Sequence, residues 1–157
     1  MRATIDFMLH DWLDLQRLLR WPRHADHTTE TVAEVLDTCE RIAREKLAPY
    51  NRQSDVEEPA YDGRQVVLPR STHDAVHAYV ESGLLAGSQD YDLGGMQLPR
   101  TVEMAANAFF MKASIGLSAG HLLTTGNANL LLAHGTQAQK DVFARNEFAG
   151  RWFGTMC

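Results

Sequence analysis

Apolar positions return every three or four residues along most of this chain, the repeat of helices with one buried face. The first pattern covers residues 5–19, "IDFMLHDWLDLQRLL", where Phe7, Leu9, Trp12, Leu13, Leu15, Leu18 and Leu19 make one broad apolar face. Pro22 stops it. A second stripe runs through Val32, Val35, Leu36, Cys39, Ile42, Ala43 and Leu47. Thr31 with Glu34 reads as its capping box, Glu40 and Arg44 as an i,i+4 pair on the wet side, and Pro49 as its end.

Residues 50–69 break the periodicity. They hold Asn51, Ser54, Asp55, Pro59, Asp62 and Gly63, all turn formers, with one short extended piece in "DGRQVVLP". A loop this long in a small domain usually has a function or covers something. Helical periodicity returns in "STHDAVHAYVESG", with Ser71 and Asp74 at its start and Gly83 just past its end. A second turn-rich loop, residues 88–99, centres on Gly94 and Gly95. Two longer helices follow, over about residues 99–112 and 114–133, the second closed by Gly135. Thr136 and Gln139 open a last one. After Gly150 the composition changes to "RWFGTMC", which suits the start of a β-strand. The fold class is therefore all-α, a bundle of about six helices with a strand beginning at residues 151–157.

Length, charge and cysteines narrow the function. A chain of 157 residues with 45% hydrophobic and 22% charged residues has the composition of a soluble globular domain. A formal charge of −5 argues against nucleic acid, whose binding needs a basic patch. No apolar run reaches the length of a membrane span. Asp6, His10 and Asp11 interrupt the apolar start, so it does not read as a secretion signal. The two cysteines, Cys39 and Cys157, form no CxxC pair, and a reduced cytoplasm is the expected compartment.

Few residues advertise chemistry. His73 and His77 stand at i,i+4, but "HDAVH" lacks the glutamate of HExxH and a third ligand, so two surface histidines are expected and no metal. The Gly94–Gly95 pair matches neither GxGxxG nor GxxxxGK[ST] and reads as a turn needing positive φ. Cys39 lies on the apolar stripe and reads as inert packing. Ser114, Gly116, Ser118, Ala119, Gly120, Gly126, Ala128 and Ala133 are small residues on one apolar helix. Glycine inside a helix costs about 1 kcal/mol against alanine, so something offsets it. Close helix packing is the commoner cause, and room for a ligand the other. Met104, Ala108 and Met111 form one row with Phe110 nearby, a pattern more often core than pocket. No nucleophile–base pair is defensible from the residues.

Several stretches together resemble the acyl-CoA dehydrogenase family, in the branch with an added N-terminal helical segment. "IDFMLHDWLDL" is similar to that extension, and "IAREKLAPYNRQSD" to the end of the family's first long helix. "DGRQVVLP" resembles its Gly-x-Val-x-x-Pro turn, and "GLLAGSQDYDLGGMQLP" the loop before its next helix. Gly135, Thr136, Gln139 and Lys140 match the family's GTxxQK element, and "GRWFGTMC" resembles the entry to its middle domain. The resemblance divides the chain into an extension (1–25), the family's N-terminal helical domain (26–150) and the start of a truncated middle β domain (151–157).

The resemblance implies α,β-desaturation of an acyl-CoA thioester by an FAD enzyme, with an electron-transfer acceptor and a homo-oligomeric assembly. It also implies a fragment inactive alone, because the family's catalytic glutamate and most of its flavin site belong to later domains. No catalytic residue is therefore assigned to this chain. Met156 and Cys157 fall where the family's flavin-contacting strand begins. The two helices over 99–112 and 114–133 correspond to walls of the acyl-chain cavity, with Met104, Asn107, Ala108 and Met111 as substrate-pocket residues. Two other readings stay open: a free-standing helical module that binds acyl-CoA or a protein, and one subunit of a split dehydrogenase.

Overall fold

The computed structural model describes residues 1–155. Helix α1 (Arg2–Phe7) widens into a π-helical turn over Met8–Trp12 and then breaks. The break is Asp14, held at φ 48°, a left-handed conformation that aspartate tolerates better than most residues. Its carboxylate accepts the Arg17 N–H at 3.2 Å and caps α2 (Leu15–Leu19). The single helix expected over 5–19 is thus two short ones. Only part of its apolar face is covered: Ile5, Leu9 and Leu15 are buried, whereas Phe7, Trp12 and Leu13 are exposed.

Helix α3 (Thr29–Ile42) starts three residues earlier than Thr31 and Glu34 indicate. Thr28 is the N-cap: its hydroxyl accepts the Thr31 N–H at 3.2 Å, and Thr31 Oγ1 accepts the Thr28 N–H at 2.8 Å. A β-branched hydroxyl thereby does the reciprocal work assigned to the glutamate. Val32, Leu36, Cys39, Ala43 and Leu47 are buried along the expected stripe. The last of it is a wider π-helical turn, Ala43–Leu47, ahead of Pro49. Arg44 pairs with Glu45 at 3.2 Å, not with Glu40.

Residues 50–69 hold more structure than their turn formers indicate. They contain α4 (Asn51–Val56) and an exposed antiparallel hairpin of β1 (Ala60–Tyr61) and β2 (Val66–Val67), in the register Ala60↔Val67 and Tyr61↔Val66. Asp62 shapes its turn by accepting the N–H groups of Arg64 and Gln65 at 2.8 and 2.9 Å. Helix α5 (Arg70–Glu81) begins behind Pro69, so Ser71 is a buried residue of the first turn rather than its cap. Gly83 follows its end at φ 76°.

The main core lies where α6 (Arg100–Ala113) packs on α3 and α5. Val102, Ala106, Phe109 and Phe110 meet Leu36, Cys39, Ala75 and Tyr79 there. Helix α7 (Ile115–His134) begins at Ser114, whose hydroxyl accepts the Leu117 N–H at 3.4 Å. Thr136 and Gln139 open the last helix as expected, and they do so as a capping box on α8 (Gln137–Gln139), which widens over Lys140–Ala144 and ends in α9 (Arg145–Phe148). Ala86, Ala128, Ala144 and Phe148 make a second, smaller core.

The loop ahead of α6 is strapped to the N-terminal segment. His24 Nδ1 and His27 Nε2 donate to the carbonyls of Gln97 and Met96 at 2.7 and 2.6 Å, and Tyr91 donates to Asp26 at 2.7 Å. The two glycines of this loop differ in purpose. Gly94 has φ 78°, as a turn glycine should. Gly95 does not need positive φ; a Cβ there would overlap the carbonyls of Gln89 and Ala86. Main-chain carbonyls cannot swing aside. Gly95→Ala is therefore expected to cost about 2 kcal/mol, typical of forced overpacking, read as a lower urea midpoint at unchanged slope.

The strand expected from residue 151 does not appear in residues 151–155, which form bends and irregular chain. A strand needs a neighbour's main-chain groups. Here the Gly154 N–H goes to a side chain, the Thr124 hydroxyl, at 3.3 Å. Met156 and Cys157 lie outside the described residues.

Candidate functional site

Helix α7 has one face in the core and one face open. Leu117, Ser118, His121, Thr124, Thr125 and Ala128 are buried. On the other side Gly116, Ala119, Gly120 and Leu123 follow each other at i, i+3, i+4 and i+7 and are all exposed. A Cβ built on Gly116 or Gly120 meets no atom within 4 Å. Close packing inside this domain therefore does not explain those glycines. They leave a shallow furrow, with Ile115 and Leu123 standing 59% and 42% exposed along it and Asn51, Arg52, Ser54 and Asp55 beside its Gly116 end.

The four residues assigned to a pocket on α6 do not act together. Met104 and Ala108, one turn apart, line an apolar groove of about 380 Å³ against Ile5, Met8, Leu9 and Leu13. Met111 continues the row and is exposed. Asn107 points the other way, 2% exposed, and its Oδ1 accepts the Tyr79 hydroxyl at 2.8 Å. Its neighbour Ala108 is on the groove side because successive helical positions stand about 100° apart. Asn107 thus joins α6 to α5 inside the core.

That bond belongs to a buried polar cluster that the sequence reading missed. The Tyr79 and His121 rings stack 3.5 Å apart at 9°, and Phe110 meets Tyr79 edge-on at 4.8 Å. Burial pushes the Tyr79 hydroxyl up, helped by the Glu103 charge. Burial also lowers His121 to about 4, so the ring is neutral, and its Nε2 has no hydrogen-bond partner. Glu103 is 3% exposed and is held by Arg100 at 2.5 Å. A histidine between Gly120 and Leu122 in a helix without Asp, Glu, Lys or Arg was the signal in the sequence.

The remaining candidates carry no assembled chemistry. Cys39 is 2% exposed, and burial pushes its thiol up to about 12, where no useful thiolate exists. His73 and His77 lie on the surface of α5, His77 beside Glu81 at 3.2 Å. Among the described residues no three His, Cys, Asp or Glu side chains gather around a point that would hold a metal, and no helix is long and apolar enough to cross a membrane.

Comparison with known proteins gives the furrow and groove a context. A family model described as "Acyl-CoA dehydrogenase, N-terminal domain" matches residues 29–150. The chain is 28% identical over 148 residues to a 3-methylmercaptopropionyl-CoA dehydrogenase of Ruegeria pomeroyi, an alignment covering 90% of this chain and 25% of the relative. It is 28% identical over 138 residues to the broad-specificity linear acyl-CoA dehydrogenase FadE5 of Mycobacterium tuberculosis, covering 85% of this chain and 22% of that one. The chain spans about a quarter of the length of these curated relatives. Helix α7 with its furrow, the GTxxQK cap at Thr136 and the core of α3, α5 and α6 all lie within the matched residues, and the chain belongs to the acyl-CoA dehydrogenase family, of which it is an N-terminal domain.

Proposed function

We propose that this domain forms one wall of the acyl-chain cavity of an FAD-dependent acyl-CoA dehydrogenase, with the furrow of α7 as that wall. The observation that carries the reading is the open space over Gly116 and Gly120. An alkyl chain needs apolar length without side chains in its way, and a row of Gly, Ala and Gly supplies it. Met104, Ala108 and Met111 make a second apolar wall on α6. Asn107 contributes by fixing α6 to Tyr79.

In this reading the acyl-CoA is desaturated between its α and β carbons, for which a bound FAD would supply the hydride acceptor. No flavin contact is assigned to the described residues; at Gly154, the described glycine nearest in sequence to Met156 and Cys157, the N–H is already taken by the Thr124 hydroxyl at 3.3 Å. The buried glutamates are held by structural contacts, Glu103 by Arg100 and Glu147 through its Oε1 by Asn127 at 2.7 Å. No proton or hydride step is therefore assigned to them. Met156 and Cys157 remain this chain's proposed flavin contacts. A homo-oligomer and a separate electron acceptor, which follow from the family resemblance, and the cytoplasm, which follows from the two cysteines outside any CxxC pair, complete the proposal.

Gly120→Leu tests the wall in the protein as its gene encodes it. Leucine is the better helix former and meets open space, so the fold is expected to hold. The substitution fills the furrow, and kcat/KM for long acyl-CoA thioesters is expected to fall tenfold or more, with short ones nearly unchanged. Met104→Lys serves as the comparison. If it alone shortens the preferred chain, the acyl group lies in the α6 groove; if neither variant changes chain-length preference, the domain is not the wall.

A further inference from the structure

The last described residues are held by a set of contacts that no cavity or metal accounts for. Thr124 and Asn127 stand one turn apart on α7, facing Glu147 on α9. Asn127 Nδ2 donates to Glu147 Oε1 at 2.7 Å. The chain then crosses this pair at Gly154, where a Cβ would overlap both Glu147 Oε1 and Asn127 Nδ2. Thr124 Oγ1 accepts the Gly154 N–H at 3.3 Å, its own proton going to the Gly120 carbonyl at 2.8 Å and the Gly154 carbonyl lying beside it at 3.3 Å. The other end of the crossing is pinned at Gly150, which has φ 66° and lies so close to Val80 that a Cβ would overlap its methyl groups. Between the two glycines, the N–H groups of Arg151 and Trp152 both go to the Asn146 carbonyl, at 2.9 and 3.2 Å.

Glu147 is an odd choice for a position meant only to pack. It is 4% exposed, its Oε2 has no partner, and burial raises its pKa against the help of Asn127. A leucine would fill such a place without burying a polar group. We infer that Thr124, Asn127 and Glu147 are positioning residues: they form a seat that fixes the path of residues 152–155 as the chain leaves the helices. The seat stands on these contacts alone. Its consequence for Met156 and Cys157, which it would aim, rests on the flavin reading above.

Limited trypsin cleavage after Arg151, followed by mass spectrometry on the protein as encoded, tests the seat. Cleavage after Lys112 in α6 serves as the gauge of general unfolding. Thr124→Val keeps the side chain's shape and removes its hydrogen bonds. Glu147→Leu removes the carboxylate but fills its place, and the Asn127 amide it releases is only half-buried and can turn to water. Each is expected to raise the cleavage rate after Arg151 fivefold or more, with the rate after Lys112 unchanged. Glu147→Gln, which keeps an acceptor for Asn127, is expected to stay within twofold of the parent. Unchanged cleavage after Arg151 in both Thr124→Val and Glu147→Leu overturns the inference. So does a rise of equal size after Lys112, which marks a general loss of stability. Neither result touches the acyl-wall proposal, whose readout is chain-length preference.

Discussion

Replacing Phe110 by alanine is expected to destabilise the domain by about 3–5 kcal/mol, seen as a large drop in the urea midpoint. The ring is fully buried at the meeting of α5, α6 and α7. Its removal takes away the apolar transfer term and leaves a cavity whose lining is hard to collapse. Tyr79 has Phe110 edge-on at 4.8 Å and is fixed by its bond to Asn107, so it cannot drop into the space. His121 is fixed in turn by the stack on Tyr79. A loss near 3 kcal/mol would mean that these rings relax; one near 5 kcal/mol, that they hold. A loss below 1 kcal/mol would show that Phe110 is not a keystone of the core. Phe110→Leu, which retains most of the volume, is expected to recover much of the difference.

This cluster shows how far the sequence could be read. The helical repeat identifies α3, α6 and α7 because each buries one face against another, and the pattern records that burial directly. The same logic placed Cys39 in the core and Thr136 with Gln139 at a cap. It failed at residues 5–19, where the apolar face is not fully buried and Asp14 prefers to cap a second helix. Hydrophobicity alone does not report which apolar residues find a partner. Asn107 came from the family resemblance instead, and choosing the face of one residue on α6 takes an accuracy of about 100°, whereas the structure turns it to Tyr79.

The candidate wall was half legible. Small residues on α7 are visible in the sequence, but their cause is not, since glycine reads the same under a neighbouring backbone and under open space. The empty volume over Gly116 and Gly120 separates the two. The seat around Glu147 was not legible at all. It joins residues from two helices and the outgoing chain, across separations of 20 to 30 positions, and none of its side chains belongs to a spaced motif.

The last expectation concerns acid. His121 has its pKa lowered by burial from an ordinary 6.5 to about 4. A base with a depressed pKa is neutral in the native state while the unfolded chain takes up a proton. Between pH 6.5 and pH 4 the unfolded state therefore binds more protons, and stability falls as the pH is lowered through this window. Above 6.5 both states are neutral and the full stability is present; below 4 both are charged and no more is lost through this group. The whole change corresponds to about 3 kcal/mol. Carboxylates titrate nearby, so the comparison that isolates the histidine is with His121→Phe. Phenylalanine keeps a ring on Tyr79 and removes the Nε2 that has no partner. The variant is expected to match or exceed the parent at pH 7, and its advantage is expected to grow by about 3 kcal/mol by pH 4. Parallel stability curves for the two proteins between pH 7 and pH 4 would show that His121 is hydrated or paired in solution, and that the dry stack on Tyr79 is not its native environment.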